Sequence, residues 1–414
     1  MNLILLAIPF FILLIAVEIV VDWRRQTGFY RVNDAITSLG LGIVSRITGI
    51  AKRFIPFTMY FLLVDHIALI ELPNTWWVWV LAFVLYDFCY YWLHRMSHEV
   101  NILWAAHVVH HSSEEYNLTT ALRQTSGGFI GWIFYIPLAL LGIPAEMFIA
   151  VGALNLIYQF WVHTRHIPKL GWYEEIFVTP SNHRVHHAQN QIYIDRNYGG
   201  VFIIWDRLFG SFQEELEHDL PVYGISTGLN SWNPLWANLH VYWQLCKDAW
   251  HTRRWQDKLG IWFRPTGWRP DDMQQQFPLA KIELATFQKF DIAMSLKQTV
   301  YSVIQHVLLI VITLLLMLNV AQLDTQQIVV GMTHGLFASI SLSMVMSQHR
   351  FAFVTEVIKH ATFVPVLVLL AVPNIVVLLA GVATLVSVVL LLMVSREAGL
   401  SRVAMASESV RESK

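Results

Sequence analysis

Ten of the 18 histidines lie between positions 94 and 187, and nine of them fall in a pattern that can bind metal. His94 and His98 stand four residues apart. His107, His110 and His111 form a His-x-x-His-His group, which His183, His186 and His187 repeat, and His163 sits between the two. Residues spaced i, i+3 and i+4 on a helix lie largely on one face, so imidazoles at these positions converge on a common point. A lone histidine is ordinarily a hydrogen-bonded polar residue, and a single i,i+4 pair arises readily by chance. Three such groups, each at the mouth of an apolar segment, do not. His166, three residues after His163, is a weaker candidate. His66, His306, His334, His349 and His360 stand singly on or beside apolar segments and read as packing or interfacial residues; His218, His240 and His251 fall in a tryptophan-rich stretch.

Neutral imidazole suits zinc, copper, iron and nickel. A structural zinc takes four ligands and a hydrolytic zinc about three plus water, so nine histidines are too many for one ion and suit two. The metalloprotease pattern His-Glu-x-x-His is absent, because Glu99 follows His98 but Ile102 stands where the second histidine is needed. Soluble di-iron bundles use carboxylate-rich shells, whereas this set is nearly all imidazole. Iron at a boundary between water and lipid, with few fixed anions, fits oxygen activation against an apolar substrate; zinc and manganese stay open on these residues alone. Glu99, Glu114, Asp87 and Asp206 are candidates to fix ring tautomers through the second nitrogen. Ion pairs with Arg95, Arg123 or Arg207 are the competing reading for them. Asn117 either supports a ligand or caps a turn.

The elements that must position these residues are mostly built for lipid. The 414-residue chain is 55% apolar and 14% charged, with a mean hydropathy of +0.48, well below the usual charge content of a soluble domain. A net charge of −1 offers no basic face for nucleic acid. Two cysteines, Cys89 and Cys246, exclude a disulfide framework and a cysteine-ligated zinc or iron–sulfur site. Met1 to Val21 is apolar apart from Asn2 and Glu18 and lacks the features of a cleaved signal, which predicts a retained transmembrane helix with Arg24, Arg25 and Arg31 on the cytosolic side. Further apolar stretches fall at 35–50, 54–71, 75–93, 129–141 and 146–161, the last two joined at Gly142-Ile143-Pro144 as a short hairpin.

Residues 162–290 are polar and loop-rich, with Trp232, Trp236, Trp243, Trp250, Trp255, Trp262 and Trp268 at short intervals, the composition of a cap against the membrane face or of ordinary aromatic packing. Four more apolar runs follow at 299–322, 327–347, 351–372 and 374–394, and then a polar tail containing Ser407, Glu408, Arg411 and Lys414. The expected architecture is an all-α, polytopic transmembrane helix bundle with a cytosolic histidine-rich di-iron cap and an appended C-terminal transmembrane unit. Its expected divisions are 1–78 (N-terminal helices), 79–215 (catalytic domain), 216–296 (tryptophan-rich cap), 297–400 (C-terminal helices) and 401–414 (polar tail).

These motifs resemble the fatty acid hydroxylase superfamily of membrane di-iron enzymes, often termed sterol desaturase-like, and within it the glyceryl-ether (alkylglycerol) monooxygenases. The residues that carry the resemblance are Tyr91-Trp-Leu-His94-Arg-Met-Ser-His98-Glu99, Trp104 to Gln124, Phe160-Trp-Val-His163-Thr, Thr179-Pro-Ser-Asn-His183-Arg-Val-His186-His187, Asn197-Tyr-Gly-Gly and Trp205-Asp206-Arg207-Leu-Phe-Gly210. They cover residues 80–212. The resemblance implies two irons, dioxygen as co-substrate and hydroxylation of a lipid carbon. In the glyceryl-ether branch it implies oxidation beside the ether oxygen with tetrahydrobiopterin as reductant. The alternative within the class is a sterol or fatty-acid hydroxylase or desaturase served by a protein donor. No Gly-x-Gly-x-x-Gly unit in a strand–helix context and no haem domain is legible, so electrons are expected from an external pterin, reductase, ferredoxin or cytochrome. The implied location is a bacterial inner membrane or endoplasmic reticulum, with the histidine boxes facing the cytosol.

A metal transporter is the competing reading of another class. It would spread ionisable residues at mid-bilayer over several helices, whereas the histidine boxes gather in one stretch at helix mouths.

Overall fold

A computed structural model describes the backbone of residues 3–52 and 58–412 and the side chains of 3–50 and 59–395. Among the described residues it is helical with no β-strand; three isolated bridges, such as Val100 with Pro265, pin loops together. The chain divides into two compact units, one of residues 1–45, 51–230 and 236–289 and the other of 46–50, 231–235 and 290–414.

The first unit contains α1 (Leu3–Arg25), most of α2 (Val32–Lys52), α3 (Thr58–Ile67), α4 (Trp76–Glu99), α5 (Asn101–His111), α6 (Ile136–Leu140), α7 (Ala145–Trp161), α8 (Pro180–His186), α9 (Ile204–Phe209), most of α10 (Pro234–His251), α11 (Trp255–Gly260) and α12 (Asp271–Gln276). α1 and α4 are long and apolar enough to cross a membrane. At 1.5 Å per residue the 17 residues of α7 rise only about 25 Å, and Gly142, at φ +70°, turns the chain between α6 and α7. Facing residues of α3, α4, α6 and α7 form one core, including Tyr60, Val78, Ala82, Leu138 and Val151.

The apolar stretch at 35–50 becomes a helix but not one of the candidate spans. Its reason is a polar inner face: Asp34 accepts from Ser113 Oγ at 2.6 Å and from Arg123 Nη1 at 3.3 Å, and Ser38 also accepts from Arg123 at 3.2 Å. The stretch at 54–71 lies partly outside the described residues, and its described part is the 10-residue α3.

The second unit holds α13 (Leu296–Asn319), α14 (Thr325–Met346), α15 (Ala352–Leu369) and α16 (Asn374–Glu412). The first three and Asn374–Ser395 of the fourth are candidate spans. Ser295 with Gln298, and Asp324 with Gln327, close capping boxes that start α13 and α14. The side chains of the polar tail lie outside the described residues.

Candidate metal centre

Four helix ends of the first unit deliver the nine histidines. α4 is apolar until its last two turns, where His94 and His98 face inward. Extended backbone at Val100 breaks the helix, and α5 starts at once with His107, His110 and His111 in its last turns. His163 follows the C-terminus of α7. α8 is only seven residues long and is set by its start: Pro180 takes the first turn, where its missing N–H costs nothing, and Thr179 and Asn182 cap each other. That box fixes the phase of His183, His186 and His187.

The rings separate into two groups. His94, His98, His107, His111 and His186 form one and His110, His163, His183 and His187 the other, with the ligand nitrogens of each group within 4.8 Å of one another. Each His-x-x-His-His motif is therefore divided. Its i and i+4 rings stay together, while the i+3 ring, turned about 100° from its i+4 neighbour, crosses to the other group. α5 gives His107 and His111 to the first group and His110 to the second; α8 gives His183 and His187 to the second and His186 to the first. The groups share a wall, where His111 stacks on His187 with centroids 4.4 Å apart.

The hydrogen bonds define the state of these rings. His94 Nδ1 lies 2.7 Å from Tyr198 O, His110 Nδ1 3.1 Å from Arg123 O, His163 Nδ1 2.8 Å from Gln159 O and His186 Nδ1 2.9 Å from Arg196 O. A carbonyl only accepts, so each Nδ1 carries the proton and each Nε2 a lone pair. Burial and neighbouring rings push the pKa of His107, His111, His163, His183, His186 and His187 well down, and that of His110 down to about 4.

Two of these rings, His110 and His163, face each other lone pair to lone pair. His110 Nε2 and His163 Nε2 are 3.3 Å apart with both Nδ1 positions already donating, so no hydrogen bond joins them. Other pairs of Nε2 atoms stand at 3.0 Å (His94 and His107), 3.2 Å (His107 and His111), 3.1 Å (His163 and His183) and 3.2 Å (His183 and His187). His98 Nε2, His186 Nε2 and His183 Nδ1 are buried with no partner. Two imidazoles held at about 2.1 Å from one ion, about 90–110° apart, place their nitrogens about 3.0–3.4 Å from each other. The donor set fits a cation in each group.

The supporting candidates separate. Asp206, buried in α9, accepts from Tyr198 N at 2.7 Å, Gly199 N at 2.8 Å and Ser211 Oγ at 2.7 Å, and burial raises its pKa to about 6. It acts on His94 by holding the loop whose carbonyl receives Nδ1. Asp87 holds the same loop farther on, through Val201 N, Phe202 N and Trp205 Nε1. A Cβ at Gly200 would lie 2.8 Å from Asp87 Oδ1, so the loop approaches α4 this closely only with glycine there.

Of the two readings open for Glu99, the structure shows the ion pair: it meets Arg95 at 2.8 Å at the outer end of α4. Asn117 takes the turn-capping role, its Oδ1 accepting from Thr119 N and Oγ1 and its Nδ2 donating to Phe29 O. Glu114 stands 3.8 Å from Arg31. His166 stands 3.9 Å from Asp22, outside both groups.

Sequence reasoning missed the four carbonyls, which leave no side-chain signal, and Asp195, 3.7 Å from His98 Nδ1. It also missed Glu18. This acid of α1 accepts from Leu118 N at 2.7 Å and from Thr164 Oγ1, beside His163. Its signal was present, as the one charge between Met1 and Val21.

With this geometry in place, comparison with known proteins is direct. The sequence pattern of the fatty acid hydroxylase family matches residues 79–211, the stretch that holds every residue of the two groups. Alkylglycerol monooxygenase of Danio rerio is 38% identical over 359 residues, covering 85% of this chain and 79% of that protein. The Homo sapiens protein of the same name is 44% identical over 269 residues, covering 64% and 59%. Ornithine lipid hydroxylase OlsE of Rhizobium tropici is 35% identical over 138 residues, covering 32% and 41%. No solved structure matches. The chain belongs to the fatty acid hydroxylase superfamily, on the branch that carries the alkylglycerol monooxygenases. Its alignment spans between about three fifths and four fifths of the length of these two alkylglycerol monooxygenases.

Proposed function

We propose that this chain is a membrane di-iron monooxygenase that cleaves glyceryl-ether (alkylglycerol) lipids. The observation that carries the reading is the pair of converging imidazole groups, five rings and four, in which backbone carbonyls set the tautomers of His94, His110, His163 and His186. His94, His98, His107, His111 and His186 would hold one iron and His110, His163, His183 and His187 the other. When bound, the two irons supply the reduction of dioxygen and the oxidation of an unactivated carbon.

The chain's own residues make that chemistry possible by burying the imidazoles together and by orienting four of them. The carbonyls of Tyr198, Arg123, Gln159 and Arg196 hold a proton on the outer nitrogen of four rings, so none is lost from or gained at the inner face. Burial keeps bulk water from the shell and limits side reactions. α4 carries His94 and His98 in its last two turns and α7 ends two residues before His163, so these apolar helices bring the site to the edge of the membrane region. The balanced reaction takes one lipid ether, dioxygen, two electrons and two protons to a hemiacetal and water. The hemiacetal then collapses to an aldehyde and a glycerol. The electrons come from an external donor, tetrahydrobiopterin on the alkylglycerol branch or a reductase, ferredoxin or cytochrome otherwise. The boxes face the cytosol, since Arg24 and Arg25 close α1 at the same end as Glu18, which reaches the loops beside His163.

The test is turnover of an alkylglycerol by the purified full chain with iron, dioxygen and each donor in turn. Stoichiometric release of a long-chain aldehyde is the expected result. Retention of the ether with hydroxylation of a fatty-acyl or sterol carbon would replace it with the other lipid hydroxylase reading. Metal flux in liposomes without either product would favour transport.

A further inference from the structure

α10 is apolar on two opposite sides. Its inner side packs Ala237, Val241 and Leu245 against Ala105, Val108 and Val109 on the back of α5, the helix that carries three of the nine histidines. Its outer side presents Leu239, Trp243, Cys246 and Trp250, which at 100° per residue fall within an arc of about 60°. Trp243 is 63% exposed and Trp250 is 81% exposed. α11 and the turn after it continue the display at i, i+4 and i+8, with Trp255, Leu259 and Phe263 each at least 70% exposed. A water-facing helix does not carry a tryptophan seam of this kind.

Two observations indicate what covers the seam. Its position is fixed to the end of a membrane span: Thr266 N donates to Glu99 O, Asn101 N to Arg264 O, and the Asn101 side chain to Ile261 O and Trp268 O. The patch therefore sits where α4 leaves its apolar stretch, the level at which tryptophan prefers the headgroup layer. Its flanks are also cationic. Among the described residues the side chains of Lys247, Arg253, Lys258 and Arg264 form no ion pair, whereas Asp248 is held by Arg269, Asp257 lies beside Arg254 and Asp272 accepts from Thr252 and from Arg253 N.

We propose that α10 and α11 form an in-plane anchor seated in the headgroup layer of an anionic bilayer, fixing the depth of the histidine-bearing α5. The seam supplies amphipathic rings for the interface and the basic flank supplies attraction to anionic lipid. This inference needs neither the metal nor the substrate assigned above.

Cys246 provides the test without redesign. It lies on the seam and is exposed, and the other cysteine, Cys89, is buried. The full chain, labelled at Cys246 with an environment-sensitive fluorophore, would be reconstituted in vesicles of phosphatidylcholine with phosphatidylglycerol. A reference label would sit at Glu217→Cys in a Cys246→Ser background, on an exposed polar loop. The Cys246 label is expected to emit to the blue of the reference and to be quenched most by lipid spin labels about 5–10 Å below the surface. Soluble iodide should quench only the reference. Trp243→Glu with Trp250→Glu should move the label into water while metal per chain stays unchanged. Emission and iodide quenching equal to the reference would overturn the proposal. So would a shielded label that no lipid quencher reaches and that becomes exposed on dilution, which would make the seam a contact between copies.

Discussion

The two units each bury a polar cluster, and the clusters are built on opposite principles. In the second unit, Glu356 accepts from Tyr301, Ser341 and Lys359; Lys359 also donates to Gln305 at 3.0 Å, and Gln305 donates to Ser387 at 2.8 Å. Both charges are answered by residues of the same bundle, from all four of its helices. A cavity of about 30 Å³ beside it, lined partly by Gln305, His334, Lys359 and His360, has room for about two waters. In the first unit four of the nine imidazoles are answered on their outer nitrogens by backbone carbonyls, and the inner nitrogens of both groups converge with no acid among them. A self-satisfied cluster ties helices together. A cluster satisfied on its rim and open at its centre calls for a cation.

Breaking this contrast is most severe at a ligand ring. His183→Ala is expected to remove turnover by about 10³-fold or more, a barrier rise of about 4 kcal/mol, while the folded helical content in detergent is kept. Glu356→Ala should do the reverse. It leaves Lys359 buried without its carboxylate and should cost about 3–5 kcal/mol of stability, read as a lower unfolding temperature, with metal per folded chain unchanged. Loss of metal in that variant would mean that the two clusters are not independent.

The pH response sharpens the comparison next. His110, pushed down to about 4 from an ordinary value of 6.5, is neutral in the folded chain where the unfolded chain takes up a proton. Its contribution, roughly 3 kcal/mol in the metal-free protein, is fully present above pH 6.5 and is lost as pH falls from 6.5 towards 4. Metal-free protein should therefore lose stability through this window, and bound metal should oppose the loss by competing with the proton; a stability flat across it would argue against neutral rings. The smallest effect is expected at Asp206→Ala, which loosens the Tyr198 carbonyl without touching a ring. A fall of about 10–100-fold in metal affinity follows from such supporting contacts, and it should be paired with a faster metal off-rate.

Much of this was legible because helical spacing is local. The apolar lengths of α1, α4 and α13–α16 follow from composition, and the nine histidines follow from i, i+3 and i+4 spacing. Their division did not follow. Spacing alone suggests that the three rings of His-x-x-His-His share one target, but the 100° between His110 and His111 lets α5 stand between two groups and serve both. The same holds for His186 and His187 in α8. Spacing left Glu99 between two readings; a carboxylate next to a ligand in sequence points away from it on a helix, and Glu99 meets Arg95 one turn back. The carbonyls that set the tautomers belong to loops brought in from 10 to 104 residues away, or to the turn before the ring, and backbone oxygens carry no mark in the sequence.

The central claim, two cations divided five and four, is tested most directly by counting metal. The full chain purified in detergent would be measured by mass spectrometry beside His94→Ala, from the first group, and His163→Ala, from the second. About two irons per chain, with each variant losing about one and keeping the other, is the predicted result. One zinc per chain, or a metal content indifferent to both substitutions, would contradict it.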